Sequence, residues 1–121
     1  MSAWMITAFG GVFTPMAPKA GDVALEDIGH ALAMTCRFGG HVREFYSVAQ
    51  HAVLVSDIAA SMAGPRWSCE AALWGLHHDD AEAYLGDVIR PLKAYTLING
   101  SPFATIEAEV ERAIIAALKL P

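Results

Sequence analysis

Two neighbouring stretches decide the fold: SVAQHAVLVSDIAASMAGP (residues 47–65) and AALWGLHHDD (residues 71–80). In the first, Ser47 and Gln50 form an S-x-x-Q capping box, which predicts that a helix begins at the next residue after the serine. The Gly-Pro pair that closes the stretch predicts the end of this helix. The second stretch is apolar nearly all round up to its histidines, which predicts a central helix buried on several sides.

The remaining segments predict a mostly α-helical single domain over residues 1–121. Glycines and prolines in residues 1–21 favour an extended or short-hairpin entry, held to the core by Trp4 and Phe13. Apolar residues at helical spacing predict a first helix through Leu25, Ile28 and Leu32. Residues 87–93, DVIRPLK, contain a proline and predict a loop or short turn.

A last helix is predicted to open with Ser101 at the N-cap and a proline at its first position. Its inward residues are expected to be Phe103, Ile106, Val110, Ala113 and Ala117. Its outward residues are expected to be Glu107, Glu109, Glu111 and Arg112. Together these segments predict an all-α bundle of about four to five helices with an extended N-terminal segment.

Composition restricts the function classes. Hydrophobic residues make up 55% of the 121 residues, and the net charge of −5 disfavours binding to a nucleic-acid polymer. No apolar run approaches the ~20 residues that a membrane span needs. The cysteines show no zinc or disulfide spacing. We therefore expect a cytoplasmic protein that does not enter a membrane, with Cys36, Cys69, Met34 and Met62 as core residues.

Histidine and carboxylate side chains cluster at the end of the second predicted helix. His78 and Glu82 are four residues apart and Asp79 and Glu82 are three apart, so one helical face can carry all three. Burial of such a group is costly unless a cation or hydrogen-bonding partners compensate the charge, and a divalent metal is the more economical explanation. The pattern indicates a divalent metal (Mn, Co, Fe, Ni, Zn or Mg), with His51 of the capped helix as the best third ligand.

The amino-acid sequence around these residues resembles that of a known family. SVAQHAVLVSD followed by ALWGLHHDDAEAYLGDVIRPLK is similar to the HD-domain phosphohydrolases, in their 5'-deoxynucleotidase-like and phage-type dNTP triphosphohydrolase branch. The resemblance extends upstream through DIGHALAMTCRFGGHVREFYSVAQH and covers nearly the whole chain. It implies an HD-like helical bundle that hydrolyses (deoxy)nucleotides through a metal-activated water.

The resemblance also implies residue roles. His51, His78 and Asp79 would hold the metal, Glu82 would orient or deprotonate the attacking water, and Asp87 would bind the sugar or the leaving oxygen. For the phosphate, which needs positive charge beyond that of the metal, Arg37 is the family-like candidate, and Lys93 and Arg90 are second choices. The other candidate substrate-binding residues are Phe38 or Tyr84, as the ring that stacks on a base, and His41.

The chain departs from the family pattern at its last ligand. The family has a further aspartate in an EAD-like motif, and none follows AALKLP at the end of this sequence. We expect a domain that is C-terminally short, whose exposed apolar surface favours a homodimer. The alternative function is a shortened, non-catalytic nucleotide- or metal-binding module.

Several residues have a plainer interpretation beside the functional one. His77 is predicted to be a non-ligand neighbour of the cluster, and His30 a surface residue. His41 either faces the substrate or caps a turn, and Arg37 either binds phosphate or pairs with a surface glutamate. Asp80 is expected to hydrogen-bond locally. Trp67 and Trp74, seven residues apart, are predicted to pack in the core.

Overall fold

The computed structural model describes residues 3–121, and across this range the chain is mostly α-helical. The helices are α1 (Leu25–Met34), α2 (Val48–Ala63), α3 (Ser68–His77), α4 (Glu82–Leu85), α5 (Arg90–Lys93) and α6 (Phe103–Leu118). Two small antiparallel sheets pair β1 (Met5–Ile6) with β2 (Val12–Phe13) and β3 (Leu97–Ile98) with β4 (Ser101–Pro102). Within the described residues, none of the helices has the length and apolar character that crossing a bilayer requires.

The predicted entry hairpin is present and is held to the core by one of the two expected aromatic residues. Met5 pairs with Phe13, whose side chain is fully buried and stacks on Tyr84 with ring centroids 3.8 Å apart. Trp4 is 58% exposed, so its prediction as a core residue is wrong. Successive strand residues face opposite sides. Because Met5 packs on the core, its neighbour Trp4 faces solvent.

The hydrophobic core lies at the end of the α2–α3 pair where α2 begins and α3 ends. It joins the entry hairpin to α1, to the first turn of α2, to α4 and to α6 through Phe13, Ile28, Leu32, Val48, Ala81, Tyr84, Val110 and Ile114. On α2 only Val48 and Ala52 are buried, and on α3 only Gly75 is buried. The far part of the α2–α3 helical hairpin therefore extends beyond the core.

The prediction of α3 as a helix buried on several sides is wrong. Trp67 and Trp74 are 51% and 66% exposed, because α3 packs mainly against α2 and both tryptophans point to one side of this pair. Gly75 makes this contact close, since a Cβ there would lie 2.8 Å from the Val55 carbonyl oxygen. Three further core assignments are wrong because the residues are exposed: Met34 at the end of α1, and Met62 and Cys69 at the far end of the α2–α3 pair.

The helix boundaries follow the local signals closely. Ser47 accepts from the Gln50 backbone N–H at 3.0 Å, the Gln50 side chain accepts from the Ser47 N–H at 2.9 Å, and α2 begins and ends as predicted. Residues 90–93 form the single helical turn α5 within the predicted short turn. Helix α6 begins later than predicted, because Ser101 pairs with Ile98 in a strand.

The inward face of α6 differs from the prediction in its second half, where Ala113 and Ala117 are only partly buried. The large apolar residues Phe103, Ile106 and Val110 are buried as expected. At the next turn the buried residue is Ile114, whereas Ala113 is only partly buried.

Candidate metal centre

Three ligand-type side chains converge where α2 meets the end of α3. His51 lies in the first turn of α2, whose start is set by the capping box, and His78 and Asp79 directly follow α3. One ligand atom from each of these residues lies within 4.8 Å of the other two. The structure therefore brings together the three residues that the sequence predicted as metal ligands.

A backbone contact orients the ring of His78. Its Nδ1–H donates to the Gly75 carbonyl at 2.6 Å, which leaves Nε2 directed toward Asp79 Oδ2 at 3.1 Å. Nε2 of His51 lies 3.5 Å from the same carboxylate oxygen. Metal-binding histidines commonly donate their other ring N–H to a carbonyl or carboxylate in this way.

The protonation states suit a site that exchanges protons for a cation. Burial, with the positive charge of Arg37, lowers the pKa of His51, so this imidazole is neutral near pH 7. The hydrogen bond to Asp79 raises the pKa of His78. Burial opposes ionisation of Asp79, but the bond to His78 and its charge outweigh burial and lower the pKa of this carboxyl.

The three residues lie in a cleft of about 690 Å³. The other side chains that line the cleft are Arg37, Phe38, Glu82, Asp87, Val88, Ile89, Arg90, Pro91, Lys93 and Glu107. Six of the predicted functional residues besides the ligands are in this set: Arg37, Phe38, Glu82, Asp87, Arg90 and Lys93. The structure therefore brings most of the predicted site residues together in one cleft.

Glu82 is the carboxyl with the strongest perturbation in the cleft. Burial, together with the negative charges of Asp79 and Asp87, raises its pKa from 4.5 to about 8. A carboxyl with this pKa holds a proton near neutral pH and can donate it or, after losing it, accept one. Glu82 is also the first residue of α4, directly after the turn that carries the ligands.

Two cationic side chains in the cleft are held in place by neighbours. Lys93 Nζ donates to Glu107 Oε2 at 2.9 Å, and this bond outweighs burial and raises the pKa of the lysine. The Arg37 guanidinium lies 4.5 Å from the ring centroid of Phe38 and 5.8 Å from that of Tyr46. This stacking holds Arg37 at the cleft rather than in a pair with a surface glutamate.

Some predicted residues lie elsewhere. His41 is exposed and does not line the cleft. Tyr84 is buried beneath Phe13 and is unable to stack on a base. His77 bonds Asp80 at 2.5 Å, which agrees with its prediction as a non-ligand and with the local hydrogen bond predicted for the aspartate. His30 is exposed, as expected.

Glu107 is a cleft residue that sequence reasoning placed on the wrong face of α6. It was expected on the outer face of α6, but it lines the cleft and binds Lys93. These two residues are 14 positions apart in different helices. No local spacing indicates such a pairing, because it depends on how α5 packs on α6.

The donor set fits a divalent transition metal. Two imidazole nitrogens and one carboxylate oxygen form a mixed N/O set, and three protein ligands leave room for water or substrate. Within residues 3–121 no fourth carboxylate belongs to this group. Mn, Fe, Co, Ni and Zn all accept these donors, and the geometry alone does not choose among them.

Comparison with known proteins gives relatives without a described activity. No family model matches the chain. It is 44% identical over 72 residues to the uncharacterized protein YfdR of Escherichia coli K12, covering 60% of this chain and 36% of that protein. It is 37% identical over 97 residues to the uncharacterized protein RCAP_rcc00048 of Rhodobacter capsulatus, covering 76% of this chain and 47% of that protein. The chain thus spans less than half the length of these curated relatives.

Proposed function

We propose that this protein is a metal-dependent phosphohydrolase that acts on (deoxy)nucleotides through a metal-activated water. The observation that carries the proposal is the convergence of His51, His78 and Asp79 in a cleft that also holds a proton-carrying glutamate and fixed cations. A cleft with these groups suits hydrolysis of a phosphate ester.

The proposal includes the finer assignment of the fold to the HD-domain phosphohydrolases. It is supported by the resemblance of the motif sequences and by the placement of the ligands. A first histidine lies on one helix, and an adjacent His-Asp pair follows the next helix of an antiparallel pair. The mostly α-helical architecture is compatible with this assignment.

The chain's own residues account for substrate binding and proton transfer. Arg37 and Lys93 would bind the phosphate oxygens, since both are cationic, line the cleft and are held by neighbouring side chains. Glu82 would take a proton from the attacking water or give one to the leaving oxygen. Asp87, on the same wall, is placed to accept a hydrogen bond from a sugar hydroxyl.

A divalent metal on His51, His78 and Asp79 would lower the pKa of a water molecule and polarise a phosphoryl oxygen. The position of Glu82 three residues after Asp79 keeps its carboxyl beside the ligands. Arg37 and Lys93 would neutralise charge on the phosphate from other sides of the cleft. The cleft therefore holds groups for positioning, charge neutralisation and proton transfer.

The experiment is an assay of the purified chain with dNMPs and dNTPs in the presence of Mn, Co or Mg. We expect release of phosphate, pyrophosphate or triphosphate, loss of at least ~100-fold in rate with Glu82→Gln, and no change with His30→Ala. The first substitution removes a proton-transfer group, and the second alters an exposed histidine on α1. Absence of product with every nucleotide and metal would contradict the proposal.

The second candidate is a non-catalytic nucleotide- or metal-binding module, which the three-residue ligand group favours. Without a fourth protein ligand the site carries less negative charge to hold a dication. This candidate predicts that a nucleotide raises the melting temperature while no product forms. Product formation that depends on Glu82 would exclude it.

A further inference from the structure

An apolar strip continues from the metal centre along the α2–α3 helical hairpin. The strip consists of Leu54, Ile58 and Met62 on α2, Trp74 on α3 and Trp67 at the start of α3. Their exposed fractions are 51%, 49%, 83%, 66% and 51%. These large apolar side chains lie outside the core cluster, and about half or more of each one is in contact with water.

Helical geometry places the strip on one side of the hairpin. The two helices meet where Gly75 faces the backbone of Val55 and Ser56. Counted at about 100° per residue from this contact, the three α2 residues and the two tryptophans point to the same side of the pair. The same count places His51 and His78 on that side, and their rings do meet, with centroids 5.3 Å apart.

The molecule has more surface than a compact monomer of its size. Its accessible surface is 7848 Å², whereas a compact folded monomer of 12.9 kDa is expected to expose about 6,300 Å². The excess of about 1,500 Å² per chain lies in the range that each subunit of an obligate homodimer buries. The surface therefore suits a chain that covers part of itself by association.

We propose that the strip is the interface with a second copy of this chain. The five strip side chains present about 600 Å², most of the roughly 800 Å² that each partner gives to a stable interface. None of them is charged, and the nearest acidic residues, Asp57 and Glu70, lie at the margins. The charge at the strip is that of Arg66, whose guanidinium lies 5.1 Å from the ring centroid of Trp67 at one end. The rest of the strip is apolar, and an apolar strip is complementary to itself across a two-fold axis.

The position of the strip ties the interface to the metal centre. Trp74 is the strip residue nearest the metal centre, and its ring stacks on that of His78 with ring centroids 5.6 Å apart. A second copy seated on the strip therefore contacts the side chain that packs behind this ligand. Association buries Trp74 and limits the movement of the His78 ring.

The test is the mass of the full chain by light scattering from micromolar to submillimolar concentration. The strip variant carries Leu54→Glu and Ile58→Lys, which place an opposite-charge pair four residues apart on α2 and leave the net charge unchanged. The matched control carries Ile6→Glu and Val12→Lys, a directly paired cross-strand position on the entry hairpin that is also exposed and apolar. Met62→Glu is a further strip variant at the most exposed position.

We expect a dimer for the unmodified chain and for the control, and at least tenfold weaker self-association for both strip variants, with helical circular dichroism retained. In a Trp4→Phe background, the tryptophan emission that remains comes from the two strip tryptophans, and it shifts to shorter wavelength as the dimer forms. A monomer at all concentrations would overturn the proposal. A dimer that the strip variants leave intact, or that the control dissociates equally, would overturn it as well.

Discussion

Addition of a divalent metal to the chelator-treated protein is expected to raise its melting temperature by about 10 °C. At a free metal concentration one hundred times the Kd, binding to the folded state alone stabilises it by about 2.7 kcal/mol. For 121 residues the entropy of unfolding is about 0.25 kcal/mol/K, and the ratio of the two gives the shift. Circular dichroism melts with Mn, Co, Ni or Zn measure it.

The Asp79→Asn variant is expected to lose most of this shift. The substitution keeps the shape of the side chain but removes the carboxylate that lies beside both imidazoles. If affinity falls a hundredfold, the same metal concentration stabilises the protein by only about 0.4 kcal/mol, or less than about 2 °C. The matched control is His30→Ala, which removes an exposed histidine on α1 and should keep the full shift.

The rise in melting temperature on metal binding should also depend on pH, and it should become smaller as pH falls. Because the pKa of His78 is raised above 6.5, protons compete with the metal below that raised pKa, and the shift shrinks as pH falls through it. In the metal-free protein the sign is opposite: the protonated His78 stabilises the fold at low pH, and this contribution is lost as pH rises through the same pKa. The pKa of His51 is lowered, so this residue does not compete near neutral pH.

Two results would refute the reasoning. One is a melting temperature that no metal changes at millimolar concentration, since the three ligand atoms would then fail to hold a dication. The other is a full shift in the Asp79→Asn variant, which would place the bound metal elsewhere. A Co(II) absorption spectrum of the loaded protein checks the ligand set independently.

Three further predictions concern stability in the metal-free chain. The pKa of Glu82 is about 8 in the folded chain against 4.5 in the unfolded chain, so the free energy of unfolding falls as pH rises between these values. Above pH ~8, Glu82→Gln should therefore be more stable than the unmodified chain by about 2 kcal/mol, which is roughly half the full effect of the pKa shift because water screens the group. Urea titration as a function of pH measures this difference. Gly75→Ala places a Cβ 2.8 Å from the Val55 carbonyl oxygen and should lower the free energy of unfolding by about 1–3 kcal/mol. In the control Gly29→Ala the added Cβ meets nothing within 4 Å, so this variant should be more stable by about 0.5–1 kcal/mol. Equal melting temperatures for the two variants would contradict the close contact between α2 and α3. Ser47→Ala removes the N-cap of α2 and should lower the free energy of unfolding by about 1 kcal/mol. Urea titration would show this as a lower midpoint at an unchanged m-value, and an unchanged midpoint would show that the capping box contributes nothing.

Features set by neighbouring residues could be predicted from the sequence. The capping box at Ser47 fixes the start of α2 whatever the rest of the chain does, and the glycine at 64 ends it. The convergence of His51 with His78 was predictable for the same reason. Both lie at fixed positions on helices that the chain joins by a short turn.

Features set by the position of the core could not be predicted in this way. An apolar α3 indicates burial only if other elements cover it, and within the described residues the core cluster contains no residue of α3. Trp67 and Trp74 are therefore exposed although their spacing is that of a packed helix face. The Lys93–Glu107 pair is likewise set by the packing of α5 on α6, which neither segment encodes alone.

The stack of Phe13 on Tyr84 has a consequence for synthesis on the ribosome. The entry hairpin leaves the ribosome before Tyr84 does, so Phe13 has no ring to stack on until residue 84 has left the exit tunnel. At 5–20 residues per second the nascent hairpin waits about 4 to 14 s for that partner. During this interval the hairpin is exposed to chaperones and proteases. The turn that carries His78 and Asp79, just before Tyr84, arrives together with the residue that locks the hairpin in place.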